Sequence, residues 1–380
     1  MTPIEPNVLP DGIRSRFVSD VNGLNMHVLE AGSLDRPLLL LLHGFPELAY
    51  SWRKVMLPLA KAGYRVVAPD QRGYGRTADG ATEYDVDLES YGMLNLTRDA
   101  LALVRALGYE AVAAVIGHDF GASVAAYCAL IRPDIFRKVA IMSAPFSGPP
   151  AFPYNTDGDS AAVPGNTGRG DIDAELASLS RPRKHYHRYY STRSANADMQ
   201  HCAQGMAGFL RGYFHGKSAD WSGNDPHRLA VWAADNLAEM PTYYIMDRDA
   251  TMAETAATFM PTAKEIAACV WLPDGELAFY AAEYSRTGFQ GGLNWYRGRL
   301  DAALTAGLRL FSGRTIDVPS IFISGENDWG VYQSPGAVEA MQERVCPRMS
   351  GVHLLPGAGH WVQQEQPAAV VKHIAQLLAS

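Results

Sequence analysis

Val112-Ala113-Ala114-Val115-Ile116-Gly117-His118-Asp119-Phe120-Gly121-Ala122 is the stretch on which the reading of this chain turns. Small and β-branched apolar residues run up to Gly117-His118-Asp119-Phe120-Gly121, and a helix-like pattern, Ser123 to Leu130, follows at once. Strand, sharp turn and helix make the setting of a nucleophile elbow, where glycines let the backbone bend tightly enough to expose one strained side chain. The usual pattern centres on serine; here the central residue is Asp119. A serine alkoxide attacks carbonyl carbon, whereas a carboxylate attacking an ester would yield only an unstable anhydride. A carboxylate suits displacement at a saturated carbon with a strained or good leaving group. The product is an alkyl ester of the protein itself, which water must cleave at the aspartyl carbonyl. Asp119 therefore predicts two steps, with oxyanion donors serving the second.

Outward from the elbow, strand and helix alternate. Arg14 to Glu30 reads as two strands about a turn at Asn22-Gly23, a strong hairpin signal. Pro37 to Leu42 is a continuous apolar run, as expected of a strand buried on both faces, and ends in His43-Gly44-Phe45-Pro46-Glu47. Leu57 to Ala62 reads as helix, Tyr64 to Ala68 as strand, Tyr91 to Leu107 as helix and Lys138 to Met142 as strand. The alternation predicts an α/β fold, a mostly parallel sheet with helices on both faces. Ser147 to Gly170, rich in Gly, Pro, Ser and Asp, reads as a long loop leaving the core, and Asp171 to about Leu304 as helical and without strand signals. Strand Pro319 to Ser324, helix Pro335 to Gln342, strand Val352 to Leu355 and helix Ala368 to Leu378 resume the pattern. The expected organisation is a core of residues 1–146 and 305–380, interrupted by a helical cap of residues 147–304.

Composition narrows the function classes. A chain of 380 residues accommodates a core plus an insertion, and 47% hydrophobic content is that of a soluble globular protein. A net charge of −7 supplies no basic field for nucleic acid or anionic lipid. Cys128, Cys202, Cys269 and Cys346 lie far apart, with neither metal-ligand spacing nor a disulfide framework. The polar, proline-rich start Met1 to Gly12 is no secretory signal, and no apolar run approaches the ~20 residues of a membrane span. A cytoplasmic protein bound to neither membrane nor nucleic acid is the expectation.

In open parallel sheets, ligands bind beyond the carboxyl ends of the strands. Ser324-Gly325-Glu326-Asn327-Asp328-Trp329-Gly330 follows one strand, as Asp119 does another, and Gly357-Ala358-Gly359-His360-Trp361 follows a third. The order of nucleophile, acid and histidine is that of hydrolases built on an elbow. His360 is the expected general base toward water, and Asp328 the acid that sets its tautomer, with Glu326 the close competitor. The backbone N–H groups of Phe45 and Phe120 are the expected oxyanion donors. His43 and His118 read as structural.

Taken together, these segments resemble the α/β-hydrolase-fold epoxide hydrolases along essentially the whole core. The resemblance rests on His43 to Glu47, Gly117 to Gly121, Gly325 to Asp328, and Gly359-His360-Trp361 with Gln363-Gln364-Glu365. Within the cap, Leu293-Asn294-Trp295-Tyr296-Arg297 is similar to the segment carrying one of that family's two lid tyrosines. Opening an oxirane makes an alkoxide, which needs a proton from a donor that is neutral near pH 7, and phenols with a pKa of about 10 meet that need. The resemblance implies Tyr296 as one such donor, with the other among Tyr186, Tyr189 and Tyr190; the Tyr-x-x-Tyr-aromatic spacing matches best at Tyr186, with Tyr190 next. Trp295, Trp329, Trp361 and Tyr190 are the expected lining of a pocket for a small hydrophobic epoxide, which with water makes up the reactants. No metal or organic cofactor is implied.

After the tyrosine segment, Ser191-Thr192-Arg193-Ser194 depart from the family's pattern, and two further features do so as well. Phe120 stands where many relatives carry Trp, and the cap is longer than usual. Its extra segment, about Gly205 to Thr262, is open to three uses: shaping the pocket, forming the interface of a homodimer, or covering the core. The nearest alternative is a haloalkane dehalogenase-like hydrolase using the same aspartate. Halide wants N–H donors, however, and the two relevant positions are Phe45 and Phe120, whose side chains have none.

Overall fold

The computed structural model describes residues 1–77, 82–152 and 171–380. Among them, eight strands form one sheet: β1 (Arg14–Val21), β2 (Leu24–Ala31), β3 (Leu38–Leu42), β4 (Arg65–Pro69), β5 (Ala114–His118), β6 (Val139–Met142) and, far later in the chain, Ser320–Gly325 and Met349–Leu355. The last two are β9 and β10, because Arg183–His185 (β7) and Ile245–Asp247 (β8) intervene. The sheet runs β1-β2-β4-β3-β5-β6-β9-β10. The first two strands pair antiparallel about the Asn22-Gly23 turn, where φ is +50° and +80°, the left-handed pair such a tight hairpin needs. β2 meets β4 antiparallel, and every later neighbour is parallel.

The inner strands are buried from end to end, as their continuous apolar runs require. Helices Arg53–Lys61 and Pro367–Ala379 pack against each other, as do Met93–Ala106 and Phe120–Ile131. The chain leaves this sheet after β6 and re-enters it at β9. The helix Ala302–Leu308 crosses the core boundary expected at residue 304. Most of the expected entry loop, residues 153–170, lies outside the described residues.

One expectation about the cap is corrected. The segment read as free of strands contains β7 and β8, paired antiparallel with Lys184 opposite Met246. Three residues each, Arg-Lys-His and Ile-Met-Asp, are too short to display an alternation. Near the end, the expected helix Pro335 to Gln342 shortens to Ala337–Ala340 and passes into a π-helical turn at Met341–Val345. No helix among the described residues is long and apolar enough to cross a membrane.

Candidate active site

Asp119 stands between β5 and its helix with φ +54° and ψ −120°, a strained conformation for a side chain other than glycine. The neighbouring strand crowds the turn: a Cβ on Gly121 would lie 2.3 Å from the Leu42 carbonyl oxygen. Gly121→Ala is therefore expected to destabilise the fold by about 3 kcal/mol or more, read as a lowered thermal midpoint in circular dichroism or as loss of folded protein. An unchanged midpoint would contradict that packing.

The carboxylate at the elbow is divided between two partners. Oδ1 accepts a hydrogen bond from Phe45 N–H at 2.9 Å, and Oδ2 faces His360 Nε2 at 3.4 Å. Phe120 N–H is the first amide of the helix that begins at the elbow, among the groups that have no partner within the helix. Burial would raise the Asp119 pKa, but contact with His360, then the charges of Lys217 and His118, hold it well below the usual carboxylate range. The Asp119 carboxylate is therefore ionised near neutral pH.

His360 is 1% exposed. Its Nδ1 lies 3.1 and 3.2 Å from the two oxygens of Asp328, and its Nε2 has no hydrogen-bond partner among the described residues. Burial alone would depress its pKa; the Asp328 and Asp119 carboxylates overcome that and raise it to about 9. Asp328 is held in turn by Ser324 Oγ–H at 2.9 Å and Gly330 N–H at 2.7 Å. Burial works to raise its carboxyl's pKa, and His360, with Gly330 N–H and the Ser143 hydroxyl, brings it below the ordinary value. Glu326, the competitor for this role, is exposed.

The two other histidines of the motifs support loops. His43 bridges Gly44 C=O and Gln71 N–H, as expected of a structural residue. His118 contacts Glu47 Oε2 at 2.7 Å through Nδ1, and through Nε2 reaches the His360 carbonyl at 2.6 Å. Glu47 itself accepts from Gln363 and Gln364. A buried polar chain thus fixes the main chain of His360 from below, and only the quoted motifs hinted at it.

Over the elbow, the Tyr296 ring meets Phe120 and Phe45 edge-on at 5.2 and 5.6 Å. Its helix, Gln290–Leu300, is tied to the core through Trp295 Nε1–H to Arg72 C=O at 2.9 Å and Asn294 to Glu83 C=O at 3.2 Å. Tyr186 and Tyr190 lie 6.0 and 4.9 Å from Tyr296 by ring centroid. The hydroxyls separate the three candidates. Tyr189 donates to Asp198 and Tyr190 to Tyr213, whereas Tyr186 donates to Gln333 Oε1 at 3.2 Å. Burial and then the Asp119 charge push the pKa of Tyr186 and of Tyr296 well above the usual phenol value, while Tyr190 feels burial and its tyrosine neighbours.

Of the expected pocket indoles, Trp295 and Trp361 have their N–H groups in bonds to backbone carbonyls, the latter to Phe214 at 2.8 Å, and both join cap to core. Trp329 is buried against His227. One group escaped the sequence reading: Lys217 approaches the His360 loop and belongs to no catalytic pattern visible along the chain, whereas Glu365, which also approaches it, stands in the quoted Gln363-Gln364-Glu365 segment.

Residues 37–367 match the family described as the alpha/beta hydrolase fold. The chain is 34% identical to epoxide hydrolase A of Mycobacterium tuberculosis over 97% of this chain and 98% of that protein. An epoxide hydrolase from an endophytic Streptomyces superposes with a TM-score of 0.76 at 31% identity, covering 97% and 96% of the two chains. Epoxide hydrolase A from Mycobacterium thermoresistibile superposes with a TM-score of 0.73 at 32% identity, over 97% and 98%.

Proposed function

The chain belongs to the epoxide hydrolases of the α/β-hydrolase fold, and from that premise we propose that Asp119 opens the oxirane of a small hydrophobic epoxide while His360, paired with Asp328, directs water onto the resulting ester. The division of the Asp119 carboxylate carries this reading. Attack through Oδ2 forms a bond to an oxirane carbon and breaks that carbon's bond to the ring oxygen. Oδ1 then becomes the ester carbonyl oxygen, already beneath Phe45 N–H, with Phe120 N–H at the adjoining helix terminus.

Proton and charge balance follow from the resting pair, an ionised Asp119 and a protonated His360. As the ring opens, Tyr296 with Tyr186 gives a proton to the alkoxide. The imidazolium proton then restores the phenol, leaving a neutral ester and a neutral imidazole. Esterification also removes the negative charge that raises both phenol pKa values, so the phenols become better acids as the proton is needed. In the second step the imidazole takes a proton from water, the hydroxide adds to the aspartyl carbonyl carbon, and the bond from that carbon to the diol oxygen breaks. The departing alkoxide takes the proton of the newly added hydroxyl and leaves as the diol, so that the ionised carboxylate and the imidazolium are regenerated.

Tyr296→Phe is expected to slow ring opening by about 10²–10⁴-fold in single-turnover measurements with an aryl epoxide, leaving breakdown of the ester once formed little changed. Tyr186→Phe should act in the same direction, and Tyr190→Phe much less, its hydroxyl being engaged by Tyr213. An unaltered opening rate for Tyr296→Phe removes it from the acid role. Displacement of halide would use the same carboxylate. The indoles beside Phe120 and His360 are already bonded to carbonyls, which favours an oxirane oxygen over a halide ion. A reducing compartment such as the cytoplasm is the setting that four free cysteines support.

A further inference from the structure

The helix Gly205–Lys217 ends in a lysine that is 3% exposed. Its Nζ lies 4.3 Å from the Tyr244 ring centroid, 5.2 Å from Tyr213, 5.5 Å from Tyr243 and 5.7 Å from Tyr186. Among the described residues it makes no hydrogen bond or ion pair, and four aromatic faces surround the ammonium. The main chain of the same residue is locked to the catalytic loop, its carbonyl accepting His360 N–H at 2.8 Å. A Cβ on Gly359 would lie 2.5 Å from that carbonyl oxygen, so the loop needs glycine to come this close. The Glu365 carboxylate completes the attachment, accepting from Gly359, Trp361 and Ala219 N–H groups on both sides of the contact.

We propose that Lys217 is a positioning residue of the second step: its main chain seats the His360 loop, and its tyrosine-caged ammonium is the fixed positive charge that drives the proton off His360 once Asp119 is esterified. This rests on the covalent mechanism above. The charged and titratable groups facing His360 are Asp119, Asp328, His118 and Lys217; those facing Lys217 are Asp119, Asp328 and the four tyrosines. In the resting site two carboxylates favour the imidazolium, and Lys217 opposes them. Esterification removes one carboxylate while the cation remains, and in a water-poor interior one charge is decisive. Both cations lose the support of Asp119. Lys217 keeps its four ring faces and the Asp328 charge, which work against the burial that lowers its pKa to about 8.

The measurement is the rate of ester breakdown against pH, by rapid quench after a single turnover of an aryl epoxide. Removing the cation lets His360 hold its proton to higher pH. Lys217→Met should therefore move the acidic limb of that profile upward by about one pH unit, slow breakdown on the limb by about tenfold, and raise the steady-state fraction of esterified protein. Lys217→Gln provides the same loss of charge if the methionine variant does not fold, and Lys217→Arg, which keeps the charge, should retain the original limb. A folded neutral variant with an unmoved limb overturns the proposal, as does an arginine variant that shifts as far as the neutral ones. Absence of any ester in His360→Gln would instead count against the mechanism beneath it, so the two failures are distinguishable.

Discussion

His360→Gln is expected to trap the protein as its own ester. Glutamine cannot accept the proton of water, yet the Asp119 carboxylate keeps Phe45 N–H and its approach to an oxirane. In the proposed mechanism ring opening draws its proton first from Tyr296 and Tyr186, whose ring contact and, for Tyr186, hydroxyl contact do not involve His360. Intact-protein mass spectrometry should find the mass of one epoxide added per chain, and multiple turnover should fall by about 10²–10⁴-fold. The opposed effects on the two steps identify the role, because a merely destabilising change would lower both. No adduct, or undiminished turnover, would remove His360 from the hydrolytic step. Asp328→Asn should resemble it in milder form, since the imidazole would survive but lose the partner that fixes its tautomer.

Much of this was legible along the chain because local sterics and strand order dictate it. Gly121 must be glycine beneath Leu42, so the elbow is written into five consecutive residues. Asp328 and His360 each follow a fully apolar or strand-like run by a few residues, and parallel strands bring their carboxyl ends to one edge wherever they lie in sequence. What could not be read depends on how distant cap segments meet. The hydroxyl of Tyr186 meets Gln333 and that of Tyr190 meets Tyr213, and no spacing reveals which partner the fold supplies. Lys217 is the clearer example. It has the sequence character of an ordinary helix-ending basic residue, and its cage unites Tyr186, Tyr213, Tyr243 and Tyr244 from three separated parts of the chain. The β7–β8 pair was missed because three residues cannot carry a period.

Asp119→Asn should abolish turnover, by about 10⁴–10⁶-fold, and with it every trace of covalent adduct. The amide is nearly the same size and keeps an oxygen for Phe45 N–H, so the fold should persist; its weakly nucleophilic oxygen is what stops ring opening. Combined with His360→Gln it should lower activity no further than alone, because residues acting in sequence on one intermediate are not additive. The same variant also reproduces the charge of the esterified state, with Asp119 neutral while Asp328 and Lys217 remain. The imidazolium of His360 then loses one of the two carboxylates that raise its pKa to about 9. Followed by NMR, its titration should fall to lower pH than in the unaltered protein. An unmoved titration would mean that Asp119 does not govern the proton on His360, and the link between the two steps would be lost even if both residues proved essential.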